Sequence, residues 1–123
     1  MAKSLILHDE IDCLELIKRV LLENGHEVAT FAEEEEALAW TSSNQVDLAI
    51  VSLEPGIVQS KTCQGLKKLS ENLKILVLTT YTNRDLVNKA LEQGADDYLL
   101  KPIEIKKLET KLGSMITGKI PLR

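Results

Sequence analysis

Cysteine, proline and aromatic residues are all scarce in this chain: two Cys, three Pro, one Trp, one Phe and two Tyr among 123 residues. Cys13 and Cys63 form no spaced cluster, which excludes a disulfide framework or a cysteine-rich zinc site. Few aromatics and a net charge of -4 exclude the basic face that a nucleic-acid-binding domain needs. Long hydrophobic runs are missing too. The apolar stretches are strand-length, far short of a membrane span, and Met1-Ala2-Lys3-Ser4 leads straight into one of them with no signal peptide. A reduced, cytoplasmic setting is the expectation. There is no internal repeat or low-complexity segment, and the length suits one domain with its own core.

What is present is an alternation. Short strand-like runs are separated by longer helical stretches, the pattern of a parallel sheet covered on both faces. The runs Ser4–His8, His26–Phe31, Val46–Val51, Leu73–Leu78 and Tyr98–Leu100 read as strands. Between Ile11 and Leu22, apolar residues recur at Ile11, Leu14, Ile17 and Leu21, the stripe of a core-facing helix, and Asn24-Gly25 closes it. Further helices are expected over Glu33–Trp40, Thr62–Leu69, from the Asn83 cap through Leu91 to Gly94, and over Ile105–Ile116. The continuous run Val46–Val51 fits a central strand buried on both sides. Five βα units make a flavodoxin-like, doubly wound α/β domain over residues 1–117. The segment 118–123 is expected to be a tail or the start of a linker.

In open α/β sheets, ligands bind beyond the carboxyl ends of the strands at the switch point in strand order. His8, Asp9, Ser52, Thr79 and Lys101 all stand at or just past such ends and should converge on one pocket. An acidic pair Asp9-Glu10 follows the first strand, Thr79-Thr80 follows the fourth, and Gly94-Ala95-Asp96-Asp97-Tyr98-Leu99-Leu100-Lys101-Pro102 runs through the fifth. This layout resembles a response-regulator receiver domain, like that of the chemotaxis regulators, along nearly the whole chain. The resemblance implies that Asp9 keeps the second acid of the site, Thr79 the hydroxyl and Lys101 the ammonium. It also implies that Tyr98 is the aromatic of the switch, with Thr79, and that the Lys101-Pro102 peptide is cis. In the family the position of Ser52 carries the aspartate that accepts a phosphoryl group, and that of His8 the first acid.

The departures gather in one place. Ser52 replaces the acceptor, His8 replaces an acid, Pro55 arrives one residue early, and Thr80 stands where a small residue is usual. A serine hydroxyl needs an adjacent base to become a nucleophile, and Mg²⁺ is usually held by one or two carboxylates. Asp9 opposite Lys101 is already balanced in charge. No metal or other cofactor is therefore expected, beyond weak Mg²⁺ at Asp9 with Glu54 as a substitute oxygen ligand.

Sharper chemistries fail on context. No Gly-x-Ser-x-Gly elbow surrounds Ser52, so Ser52, His8 and Asp9 do not read as a hydrolase triad. His8, Asp9, Asp12 and Cys13 match no compact metal-ligand spacing, and Glu33–Glu36 reads as a solvated helix start. The chain reads as a pseudo-receiver, not an enzyme, that works by protein contact. By resemblance its partner face joins the fourth helix, fifth strand and fifth helix. That face carries Arg84, Asp85, Lys89, Glu92, Asp97, Lys106, Lys107 and Lys111, a mixed-charge surface suited to a homodimer or an output domain. Two rivals stand beside this reading: a working receiver with Ser52 as an altered acceptor, and a small flavodoxin-like enzyme or ligand-binding domain using the same pocket.

Overall fold

A computed structural model describes residues 3–7, 11–52, 61–70, 72–79 and 84–116. The elements alternate strictly: β1 (Lys3–Leu7), α1 (Ile11–Glu23), β2 (Glu27–Phe31), α2 (Glu34–Ser43), β3 (Leu48–Ser52), α3 (Lys61–Leu69), β4 (Lys74–Thr79), α4 (Arg84–Glu92), β5 (Asp97–Leu100) and α5 (Ile105–Ile116). All strands pair in parallel, in the order β2-β1-β3-β4-β5. This is the flavodoxin-like doubly wound sheet that the alternation implies, with its order reversal between β1 and β3.

Side-chain alternation along each central strand builds two cores. Ile6, Leu48, Ile50, Leu76 and Leu78 face α1 and α5, meeting Ile17, Val20, Leu21, Leu108 and Leu112. Leu5, Leu7, Ala49, Val51, Ile75 and Val77 face the other way, toward Ala37, Cys63, Leu66 and Ala90 of α2, α3 and α4. β3 is buried at all five positions, as a middle strand with helices on both sides must be.

Both ends of α5, the start of α1 and the ends of α3, β2 and β5 fall where the sequence pattern puts them, and other boundaries shift by one to three residues. β3 begins at Leu48 rather than Val46 because Asp47 is bound as a connector: its N–H donates to the Lys3 carbonyl at 2.8 Å, and its carboxylate accepts from the Lys3 N–H at 2.9 Å. β4 runs one residue later at each end, Lys74–Thr79, so Thr79 lies inside the strand. β2 loses His26, which packs inward at 3 % exposure instead of alternating. α2 continues to Ser43 because Thr41 and Ser42 donate their hydroxyls back to the Ala37 and Ala39 carbonyls, and Asn44 closes the helix on the Trp40 carbonyl. Gly25 and Gly94 end α1 and α4 with φ of 84° and 121°. The expected end of the domain at Thr117, the tail 118–123 and the Asn83 cap lie outside the described residues.

Candidate functional site

Three of the five residues expected to converge are described, and they meet at the carboxyl edge of the sheet. Ser52 is the last residue of β3 and is 1 % exposed; Thr79 is the last of β4 and fully buried. Register places them side by side, with Ser52 opposite Leu78 on β4 and Thr79 opposite Leu100 on β5. Lys101 follows β5 directly. Its N–H donates to the Thr79 carbonyl at 2.7 Å, extending the ladder by one bond past the strand. The Lys101-Pro102 peptide is cis. From this anchored backbone the side chain crosses the end of β4, and the Nζ donates to the Ser52 Oγ at 3.2 Å. His8, Asp9, Glu54 and Thr80 lie outside the described residues, as do Pro55 and the side chains of Asp12 and Cys13.

The two hydroxyls can donate and accept hydrogen bonds and the ammonium can only donate, but none of the three is a base able to activate Ser52. Nor does this set suit a hard dication, which seeks carboxylate and carbonyl oxygens and is repelled by an ammonium. No group of three or more His, Cys, Asp or Glu side chains among the described residues is placed to hold a metal ion.

The surface beside the pocket is ordered by charge. Lys111 on α5 donates to both carboxylate oxygens of Asp97 on β5, at 3.1 and 3.0 Å, and Asp97 also accepts from the Tyr98 N–H at 2.8 Å. The same ammonium stands 5.9 Å from the Tyr98 ring centre, within cation–π range. Tyr98 is therefore turned outward, 39 % exposed, above a shallow groove of about 270 Å³ that Lys101, Glu104, Lys107 and Lys111 help to line. Arg84, Asp85, Lys89, Glu92, Lys106 and Lys107 are all exposed, with Lys107 and Glu104 paired at 3.5 Å across one helical turn. Solvent-exposed pairs of this kind are worth about 0–1 kcal/mol, so they shape the surface more than they stabilise the fold. The mutual pairing of Asp97 and Lys111 escaped the sequence, where the two appear only as separate charges.

A second charged cluster, at the opposite end of the sheet, has no counterpart in the sequence reading. Lys67 of α3 donates to the Leu73 carbonyl at 2.5 Å and to Asp96 at 3.0 Å, while the Ile75 N–H donates to the same carboxylate at 2.9 Å. It ties α3 to the α4–β5 turn. The spacing of 29 residues between Lys67 and Asp96 gives no local signal.

Comparison with known proteins bears on the family and the fold. A family model described as the response regulator receiver domain matches residues 5–113. The two-component response regulator PhoP of Pseudomonas aeruginosa is 32% identical over 115 residues, covering 93% of this chain and 51% of that protein. The chain spans about half the length of the curated relatives it matches. A crystal structure of a response regulator from Chloroflexus aurantiacus superposes with a TM-score of 0.83 at 32% identity, covering 94% of this chain and 97% of the other. A response regulator from Burkholderia pseudomallei, whose structure carries a phosphorylated aspartic acid and a calcium ion, gives a TM-score of 0.81 at 25% identity, covering 95% and 68%. No helix of the described residues is long and apolar enough to cross a membrane.

Proposed function

This chain belongs to the response-regulator receiver family of two-component signalling, and from that premise we propose that it is a pseudo-receiver, acting through protein contact without phosphorylation of its own site. The observation that carries the proposal is Ser52. It occupies the end of β3, where the family resemblance places the acceptor aspartate, and its hydroxyl is buried and already bonded to Lys101. An aspartate there would offer a carboxylate nucleophile and a metal ligand. Serine offers neither without a base. Mg²⁺ binds weakly at most, through Asp9 and Glu54, and the domain is not an enzyme.

The signal then enters and leaves through surfaces. A protein partner, either a second copy or an output domain, docks on the face of α4, β5 and α5, where Arg84, Asp85, Lys89, Asp97, Lys107 and Lys111 offer both signs of charge and Tyr98 an exposed ring. Complementary charge at such a face governs partner choice and association rate more than raw affinity. The partners and the cytoplasmic setting follow those of two-component signalling.

The test is intact-protein mass after incubation with acetyl phosphate and Mg²⁺, beside a receiver with an ordinary aspartate as control. The expected result is no added phosphoryl group on this chain. A labile single adduct mapped to the Ser52 pocket would overturn the reading and make Ser52 an altered acceptor.

A further inference from the structure

The amino end of the sheet, remote from the pocket, holds a buried imidazole that the proposed function does not use. His26 follows Gly25 at the end of α1, and its N–H donates to the Leu21 carbonyl at 3.0 Å. The ring turns inward to 3 % exposure, and its Nδ1 lies 2.6 Å from the Oγ of Ser4, a fully buried residue of β1. The Nε2 is buried with no hydrogen-bond partner. One side chain thus joins the end of α1 to β1 immediately before β2, a strand paired on one side only.

We propose that His26 and Ser4 form a proton-sensitive latch that holds the α1–β2 turn and the edge strand β2 when the imidazole is neutral and releases them when it is protonated. The latch works with either tautomer of the neutral ring. A neutral ring satisfies Nδ1 through Ser4, as donor or acceptor, and leaves one uncharged nitrogen unpaired. The cation has an N–H at both nitrogens, and the one on Nε2 points into a buried space without an acceptor. An unpaired buried charge is far costlier than an unpaired neutral nitrogen.

The surrounding charges are opposed. Burial lowers the His26 pKa below its ordinary 6.5, Asp47 ahead of β3 pulls it up, and the positive amino terminus lowers it again; burial dominates. Asp47 is partly committed, since its carboxylate accepts the Lys3 N–H. Lys3 itself is engaged by Asn44 and Glu27. With the folded pKa below the unfolded one, the unfolded chain binds more protons. Stability is complete above pH 6.5 and falls as the pH drops from there toward the folded pKa.

The experiment is an NMR titration of the His26 ring, combined with urea unfolding and amide exchange between pH 7.5 and 5 for the wild type, Ser4→Ala and His26→Gln. The ring should titrate below 6.5. Between 6.5 and that midpoint, the wild-type unfolding constant should rise more steeply than that of His26→Gln, by up to about tenfold per pH unit. Amides of β2 should lose protection before those of β4. Ser4→Ala should move the ring's midpoint. A ring that titrates at or above 6.5, or equal pH slopes with and without His26, would overturn the proposal. Should His26→Gln fail to fold, the wild-type titration and exchange order decide alone.

Discussion

The contact that closes the pocket can be weighed directly. Lys101 donates to Ser52 at 3.2 Å, with Ser52 1 % exposed and Lys101 half-buried. A hydrogen bond to a charged group is worth about 1.5–3 kcal/mol net. This one is at the long end of N–H···O distances and only part-buried, so about 1 kcal/mol is the better figure. Ser52→Ala removes the hydroxyl along with its need for a partner and should cost about 1 kcal/mol. Lys101→Met is more expensive, because it leaves a buried hydroxyl short of its donor; about 1–3 kcal/mol is expected. Lys101 has further contacts, so the single mutants alone cannot isolate the bond. The double-mutant cycle can: Ser52→Ala, Lys101→Met and their combination, measured by urea unfolding, should show a coupling of about 1 kcal/mol. A coupling below about 0.3 kcal/mol, the usual additivity error, would mean that the pocket is not held by this pair. Ser52→Ala, whose change lies in the buried pocket, should bind a partner on the α4–β5–α5 face with unchanged affinity. Loss of binding by Ser52→Ala would make the pocket the signal input.

Other outcomes follow from single features. Amide shifts at Ser52 and Thr79 should respond to Mg²⁺ only in the high millimolar range, and saturation below 1 mM, roughly the threshold of a dedicated carboxylate site, would contradict the pseudo-receiver reading. Replacing Lys107 and Lys111 by Glu should weaken partner or self-association, read by light scattering or by titration calorimetry, while leaving the far-UV spectrum intact; unchanged association would remove this face from the proposal. Gly94→Ala forces a side chain onto a φ of 121° and sets its Cβ 3.0 Å from the Lys67 Cγ, so it should destabilise more than Gly25→Ala, where φ is 84° and nothing lies within 4 Å; equal urea midpoints would refute this ranking. Burial pushes the Cys63 thiol up to about 11, so iodoacetamide at pH 8 should label Cys63 only in unfolded protein, and peptide mapping that finds it labelled in the native state would contradict its burial.

The alternation of apolar strands with striped helices was legible in the sequence, because period 2 and period 3.6 are local properties of the chain. So was the placement of Ser52, Thr79 and Lys101 at strand ends, since a parallel sheet puts all its carboxyl ends on one edge. Their candidacy as one site rested on that rule together with the family resemblance. Local backbone chemistry was readable too: Gly25 and Gly94 stop their helices where a left-handed residue is needed. Boundaries were less so. Asp47 reads as part of the third strand's approach until its bonds to Lys3, 44 residues away, take it out. Tertiary structure alone decided which partners most of the polar side chains found. The Lys101–Ser52 bond is one of the two contacts, with Asp9 or with Ser52, that the family resemblance led us to expect, but the Asp97–Lys111 clasp beside Tyr98, the Lys67–Asp96 tie and the burial of His26 against Ser4 join residues 14, 29 and 22 positions apart. Nothing in the local pattern encodes such a pairing, because hydrogen bonds and ion pairs act over a few ångströms of space, and it is the order of the strands that brings these residues within that distance.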